Sequence, residues 1–296
     1  MSTKDTFAYN RAMDAGKKIK EKGQIIVFTD LDGTLLSVED YSFEPAKPAL
    51  AFLHAQRIPV ILTTSKTRPE VEVWQQQLDL SEPFIVENGG AIYIRQGYFH
   101  FDIEGSFIRN NYQVIELGTF YPALLEALEK IRQKSGAKIR GYGDMSIAEV
   151  ANLTGLSQEE ARLSKKREYD EPFIIPADEA DSAGKVAAAV KAVGLSWTRG
   201  DRFHHLTGDN DKGRACRILA ELFRGQRGDI ITIGVGDSLN DLPLLAQVDY
   251  PVLVMRPDGG YCPGINLPRL IRSPAVGPAG FNHSILELMH QLGLDR

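Results

Sequence analysis

Ile25-Ile26-Val27-Phe28-Thr29 is short, β-branched and almost wholly apolar. A strand buried on both faces of a parallel sheet reads this way. Residues 45–56 follow with Leu50, Phe52 and Leu53 on one side of a predicted helix. Pro59-Val60-Ile61-Leu62-Thr63 repeats the buried-strand pattern, Pro69-Glu70 opens another helix, and Phe84-Ile85-Val86 is a third apolar run. Late in the chain the logic returns. Residues 212–223 form a predicted helix with Ala215, Ile218, Leu219 and Leu222 on one side, and strands are predicted over 229–233 and 251–254. Residues 282–292 are amphipathic and helical in pattern. Strands alternating with helices in this way predict an α/β fold built on a doubly wound parallel sheet.

The middle of the chain is different. Between residues 95 and 207 helical periodicity (121–134, 146–151, 157–163, 180–192) mixes with strand-like runs (137–140, 172–175, 203–206). This predicts a smaller α/β domain, residues 95–207, inserted into a core made of 1–94 and 208–296. The 296-residue length is comfortable for two domains, given roughly 100–200 residues for each. Residues 1–23 read as a polar extension or a short amphipathic helix, without the apolar stretch of a secretory signal.

Composition narrows the classes of function. With 43% hydrophobic and 25% charged residues the chain has an ordinary globular balance. A net charge of −5 steers nothing toward nucleic acid, so an anionic ligand needs a local cluster of basic groups. No stretch is long and apolar enough for a membrane span. The two cysteines, Cys216 and Cys262, match no zinc spacing and make no disulfide framework, so a cytoplasmic setting is expected.

Ligands of open α/β sheets sit outside the carboxyl ends of the strands, and polar clusters fall at such ends here. Asp30 and Asp32, two apart at the end of a strand, can point to the same side. One carboxylate can attack phosphorus while the other handles protons. Gly33 permits a tight path that turns backbone amides toward an anion. The same string also suits a plain solvated turn. Gly236-Asp237-Ser238-Leu239-Asn240-Asp241 supplies hard oxygen ligands in Asp237 and Asp241, with Asn240 able to orient a neighbour. An acidic helix start reads similarly, and the two roles are compatible. Thr64 and Ser65 can hydrogen-bond a phosphoryl oxygen, and Lys212 can neutralise transition-state charge.

The order of acidic pair, hydroxyl, lysine and acidic cluster resembles the haloacid dehalogenase superfamily of phosphatases. Asp30-Leu31-Asp32-Gly33-Thr34 resembles its first motif, Thr64 (or Ser65 beside it) the second, Lys212 the third, and Gly236-Asp237 with Asn240-Asp241 the fourth. The resemblance implies Asp30 as nucleophile and Mg²⁺ ligand, and Asp32 as general acid/base that also binds the metal through its carbonyl. Asp237 and Asp241 are the remaining implied metal ligands, and Gly33, Thr34 and Asn240 are expected at the substrate. Residues 95–207 would then be a cap that selects the substrate and excludes water.

A narrower resemblance is to mannosyl-3-phosphoglycerate phosphatases. It rests on Thr64-Ser65-Lys66-Thr67, Glu87-Asn88-Gly89-Gly90, Arg167-Glu168-Tyr169-Asp170-Glu171-Pro172-Phe173 and Gly200-Asp201-Arg202-Phe203-His204-His205, among other segments. It implies a small anionic phosphorylated sugar–glycerate substrate and a monomer or homodimer; the product would be mannosylglycerate, a compatible solute. Arg167 is the expected fork for the substrate carboxylate, with Lys66, Ser65, Asn88, Gly89 and Thr207 also facing the ligand. His204 and His205 are adjacent in a strand, so they point to opposite faces. Glucosyl-3-phosphoglycerate, sucrose-phosphate and trehalose-phosphate phosphatases stay open as alternatives, as do a phosphomutase and a non-catalytic metabolite-binding module. A Rossmann dehydrogenase fits poorly, because Asp-x-Asp-Gly stands where Gly-x-Gly-x-x-Gly is needed.

Overall fold

The structure is a computed structural model and describes residues 23–176, 182–199 and 203–294. The predicted N-terminal extension, the first residues of the helix expected over 180–192, and Gly200-Asp201-Arg202 lie outside the described residues. By its contacts the chain divides into two compact units, Met1–Ile61, Ile218–Asp237, Leu245–Arg296 and Leu62–Arg217, Ser238–Leu244.

The first unit is built on a five-stranded sheet in the order β13-β12-β11-β1-β2, from β1 (Gln24–Thr29), β2 (Val60–Leu62), β11 (Ile230–Gly236), β12 (Tyr250–Met255) and β13 (Ile271–Val276). β1 pairs with β11, β11 with β12 and β12 with β13, all parallel. Ile26, Val27 and Phe28 are wholly buried, as their continuous apolar run requires. Helix α1 (Lys47–Ala55) and helix α9 (Gly277–Gln291) belong to this unit, and Asn282 Oδ1 accepts the Ala49 N–H at 2.9 Å. α9 buries Phe281, Ile285, Leu288 and Met289, one stripe at helical spacing. It starts at Gly277, earlier than the predicted 282, because its first turn is apolar and small rather than amphipathic.

The second unit holds two antiparallel four-stranded sheets. One has the order β3-β4-β6-β5, from β3 (Phe84–Val86), β4 (Ala91–Arg95), β5 (Phe107–Arg109) and β6 (Tyr112–Glu116). The other has the order β7-β8-β10-β9, from β7 (Arg140–Gly141), β8 (Glu171–Ile174), β9 (Ser196–Arg199) and β10 (His204–Thr207). The structure corrects one expectation here. β3, expected in the parallel sheet, ladders antiparallel with β4, and an isolated parallel bridge links its Ile85 to Thr63. Phe84 and Tyr93, directly opposite in that ladder, stack with centroids 5.4 Å apart.

Helices α2 (Arg68–Gln77), α4 (Ile147–Thr154) and α5 (Gln158–Ser164) all start with a capping box: Thr67 with Glu70, Ser146 with Glu149, Ser157 with Glu160. α3 (Tyr121–Ser135) and α6 (Ala183–Ala192) pack Leu124, Leu128, Ile131, Val186 and Val190 against Phe173 and Leu206 of the second sheet. Two further helices are α7 (Lys212–Arg227) and α8 (Leu242–Gln247).

Candidate active site

Parallel pairing sets the first carboxylates. Thr29 lies opposite Val235, so the chain leaves β1 at Asp30 and β11 at Asp237 on the same sheet edge. The Asp30 N–H donates to the Val235 carbonyl at 2.9 Å, and both carboxylates are buried. After Asp30 the chain turns tightly. The N–H groups of Thr34, Leu35 and Leu36 all donate to the Leu31 carbonyl, and Gly33 N–H donates to Leu36. Asp32 is partly exposed at this turn.

Gly33 has φ +79°, and a Cβ there would lie 2.9 Å from Asp237 Oδ2. Glycine is required twice over, for the left-handed backbone and for the approach of the carboxylate. Wholly buried Thr34 donates from Oγ1 to Asp237 Oδ1 at 3.4 Å. The Asp-x-Asp-Gly-Thr string therefore forms one wall against Asp237, which a plain solvated turn does not do.

In the second unit Thr64 is wholly buried, and its Oγ1 accepts the Lys66 N–H at 3.2 Å. Ser65 is partly exposed and turns its carbonyl to Arg167. Lys212 begins α7, and its Nζ donates to Asp241 Oδ1 at 2.6 Å with both side chains fully buried. The other oxygen of Asp241 accepts the Ser238 N–H at 3.0 Å. Gly213 is needed because a Cβ would sit 2.3 Å from the Pro243 carbonyl oxygen.

In the first unit, Asp30 and Asp237 each offer a buried carboxylate oxygen, and these oxygens lie within 4.8 Å of one another. Such a group could hold a metal ion, and its donors are the hard oxygens a magnesium-like cation prefers.

Around Asn88 the backbone is strained. Glu87, Asn88 and Gly89 have φ values of +47°, +56° and +85° in succession. Left-handed residues normally occur singly, and such strain persists only where the surroundings over-determine it. Here they do. The N–H groups of Glu87 and Asn88 donate to the carbonyls of Lys66 and Thr64, each at 3.0 Å. Asn88 Nδ2 donates to Asp170 Oδ2 at 2.8 Å, and Asn88 Oδ1 accepts from Asn240 Nδ2 at 3.1 Å. A Cβ on Gly89 would lie 2.1 Å from the Asp211 carbonyl oxygen, next to Lys212.

Glu87 accepts the Tyr169 N–H at 2.8 Å and the Glu168 N–H at 3.0 Å. Burial pushes its pKa up to about 8, against the pull of the nearby Arg167 charge. Arg167 is buried and donates to the carbonyls of Ser164 (2.8 Å) and Ser65 (2.7 Å), with Asp170 at 3.9 Å. Two edges of the expected carboxylate fork thus hold main-chain groups.

Thr207 ends β10, buried and opposite Ser196. The histidines do face opposite ways. His204 packs beside the Phe173 and Trp197 rings, which also stack on each other, whereas His205 Nδ1 meets Asp170 Oδ2 at 2.8 Å. Sequence reasoning singled out neither Glu87 nor Asp170. Their signal is a carboxylate set beside a run that is otherwise buried.

The haloacid dehalogenase-like hydrolase family matches residues 27–256. The chain belongs to this family. It is 47% identical over 264 residues to a glucosyl-3-phosphoglycerate/mannosyl-3-phosphoglycerate phosphatase of Methanococcoides burtonii, covering 89% of this chain and 97% of that one. A protein of the same description from Persephonella marina is 42% identical, with 90% and 98% covered. The chain, like these relatives, is a phosphatase. In fold it is similar to the sucrose-phosphatase of Synechocystis, with a TM-score of 0.57 at 14% identity, over 92% of this chain and 99% of that one.

Among the described residues no helix is long and apolar enough to cross a membrane. Cys216 and Cys262 are buried free thiols.

Proposed function

We propose that this phosphatase is Mg²⁺-dependent, works through an aspartyl-phosphate on Asp30, and takes glycosyl-3-phosphoglycerates, with mannosyl-3-phosphoglycerate as main substrate and the glucosyl compound as a second. The observation that carries the chemistry is the pair of buried carboxylates, Asp30 and Asp237, at the ends of two paired parallel strands. The substrate class is supported by relatives named for both glycosyl compounds that match nearly the whole chain.

Asp30, Asp237 and Asp241, with the Asp32 carbonyl, would hold the ion. Bound there, it supplies positive charge to the oxygens of the transferring phosphoryl group. Asp30 attacks phosphorus in line, forming an aspartyl–phosphorus bond as the ester bond to glycerate breaks. Asp32 gives its proton to the departing glycerate oxygen. Asp32 then takes a proton from water, whose oxygen attacks phosphorus, and phosphate leaves Asp30. Thr64 donates its O–H to a phosphoryl oxygen, its own oxygen being oriented by the Lys66 N–H. Lys212 lends charge to the transition state and keeps Asp241 in place. Residues 95–207 form the domain that selects the sugar and the glycerate.

The test is phosphate release from mannosyl- and glucosyl-3-phosphoglycerate, sucrose-6-phosphate and trehalose-6-phosphate, each with Mg²⁺ and with EDTA. Metal-dependent release from the two phosphoglycerates, with little from the others, is expected. Asp30→Asn should lose nearly all turnover and leave no acid-stable label from ³²P-substrate on the protein. Wild-type rate in Asp30→Asn, with deamidation excluded by mass, overturns the nucleophile. Release from sucrose-6-phosphate alone overturns the substrate class and leaves the chemistry standing.

A further inference from the structure

One buried chain of hydrogen bonds starts outside the residues of the reaction and ends beside Asp241. His205 Nδ1 meets Asp170 Oδ2 at 2.8 Å, and that same oxygen accepts Asn88 Nδ2 at 2.8 Å. Asn88 Oδ1 accepts Asn240 Nδ2 at 3.1 Å, and Asn240 Oδ1 accepts Ser238 Oγ at 2.6 Å. Ser238 in turn gives its N–H to Asp241 Oδ2 at 3.0 Å. Asp170 is wholly buried, and Asn88, His205 and Asn240 are buried with it. Asn88 is tied at both ends of its side-chain amide and sits in the left-handed turn at φ +56°. Burying this many polar groups is costly unless they are hydrogen-bonded. Asp170 Oδ1 has no hydrogen-bond partner among the described residues, whereas Oδ2 is tied to Asn88 and His205, and the links run on to the loop that carries Asp241.

We infer that Asp170 is a positioning residue: through Asn88 and Asn240 it sets the loop of the fourth motif so that Asp241 meets the metal ion in the right place. His205 and Arg167 keep the Asp170 carboxylate oriented, the first by the shared oxygen and the second from 3.9 Å. Asp170 acts on the site only through other side chains, as outer partners of metal ligands do. Removing a group bonded directly to a metal ligand typically costs roughly 10–100-fold in metal affinity, and Asp170, which stands further out, is expected at the low end of that range.

The inference rests on the metal reading above, and the experiment separates the two. Mg²⁺ is titrated into the full-length protein by calorimetry, beside a thermal melt, for wild type, Asp170→Ala, Asp170→Asn and Asn88→Gly. Asp170→Ala should bind Mg²⁺ about 10-fold more weakly and need correspondingly more Mg²⁺ for half-maximal phosphate release. The substrate KM at saturating Mg²⁺ should be unchanged. Asp170→Asn keeps an oxygen for the Asn88 amide and should recover most of the affinity. Asn88→Gly suits the left-handed backbone while deleting the bridge. It should therefore lose Mg²⁺ affinity and melt somewhat lower, because buried Asn240 Nδ2 loses its acceptor, and it stands in if Asp170→Ala does not fold. Wild-type Mg²⁺ affinity in Asp170→Ala or Asn88→Gly, or no recovery in Asp170→Asn, overturns the positioning role alone. Absence of Mg²⁺ binding by the wild type overturns the metal reading, and this inference with it.

Discussion

Gly33 shows how much one missing methyl group can decide. Its φ of +79° would cost an alanine about 1–2 kcal/mol in backbone strain alone. The Cβ would also press to 2.9 Å from Asp237 Oδ2, the end of a side chain that can move away. The strain lowers stability, and the displaced carboxylate lowers function. Gly33→Ala is therefore expected to fold, to melt several degrees lower, and to need more Mg²⁺ for half-maximal phosphate release. A melt and a Mg²⁺ titration of activity check this. An unchanged Mg²⁺ requirement would mean that the Gly33–Asp237 approach does not matter to the site. Lys212 is a contrasting case. Its charge is wholly buried yet paired with Asp241 at 2.6 Å, so truncating either residue breaks a close buried ion pair and is expected to destabilise the fold.

At the scale of elements, helix α7 begins at the residue that carries the third motif. Gly213, its second residue, lies against the Pro243 carbonyl oxygen, which a Cβ would meet at 2.3 Å. Alanine is the better helix former by about 1 kcal/mol, so propensity alone predicts that Gly213→Ala stabilises. The contact decides otherwise, because a backbone carbonyl cannot swing aside as a side chain can. The expected result is a lower melting temperature and a large fall in kcat, since Lys212 moves with the first turn. A raised melting temperature with kcat intact would show that the helix start yields freely.

Elements differ in how far their pattern could be read. β1, β2, β11 and β12 announce themselves as continuous apolar runs, and the helix starts expected at 69, 146 and 157 fall within a residue of those of α2, α4 and α5, whereas α4 runs on three residues past its expected end at 151. β3 has the same apolar pattern but belongs to an antiparallel ladder. A three-residue run states that both faces are buried and says nothing about its partner. β9, Ser196–Arg199, lacks alternation because it is an edge strand whose burial comes from Trp197 and Thr198 in part. In the site, residue types were legible at strand ends, as for Asp30 and Asp237, and at the helix start that carries Lys212. The links of Asn88 to Asp170 and Asn240 were not, because tertiary packing brings together groups far apart in the chain.

Over the whole molecule, stability should depend on pH through two buried glutamates. Burial pushes Glu171 up to about 7, although the Tyr121 hydroxyl at 2.6 Å and the Gly143 N–H at 2.9 Å favour its ionised form. Burial likewise pushes Glu87 up to about 8. Both rise from an ordinary value of 4.5, so between pH 5 and 8 the folded chain keeps protons that the unfolded chain has released. Stability therefore falls as pH rises through this range, by at most about 1.4 kcal/mol per pH unit for each proton. Below pH 4.5 both states hold these protons and the dependence on these two groups ends. Glu171→Gln keeps a carbonyl for the Gly143 N–H and an amide for Tyr121, and it removes one titration. Chemical denaturation at pH 5, 6, 7 and 8 should show the wild type losing stability more steeply than Glu171→Gln, with the variant gaining relative to wild type toward pH 8. Parallel curves would mean that Glu171 is ionised in the folded protein throughout, its two hydrogen-bond donors outweighing its burial.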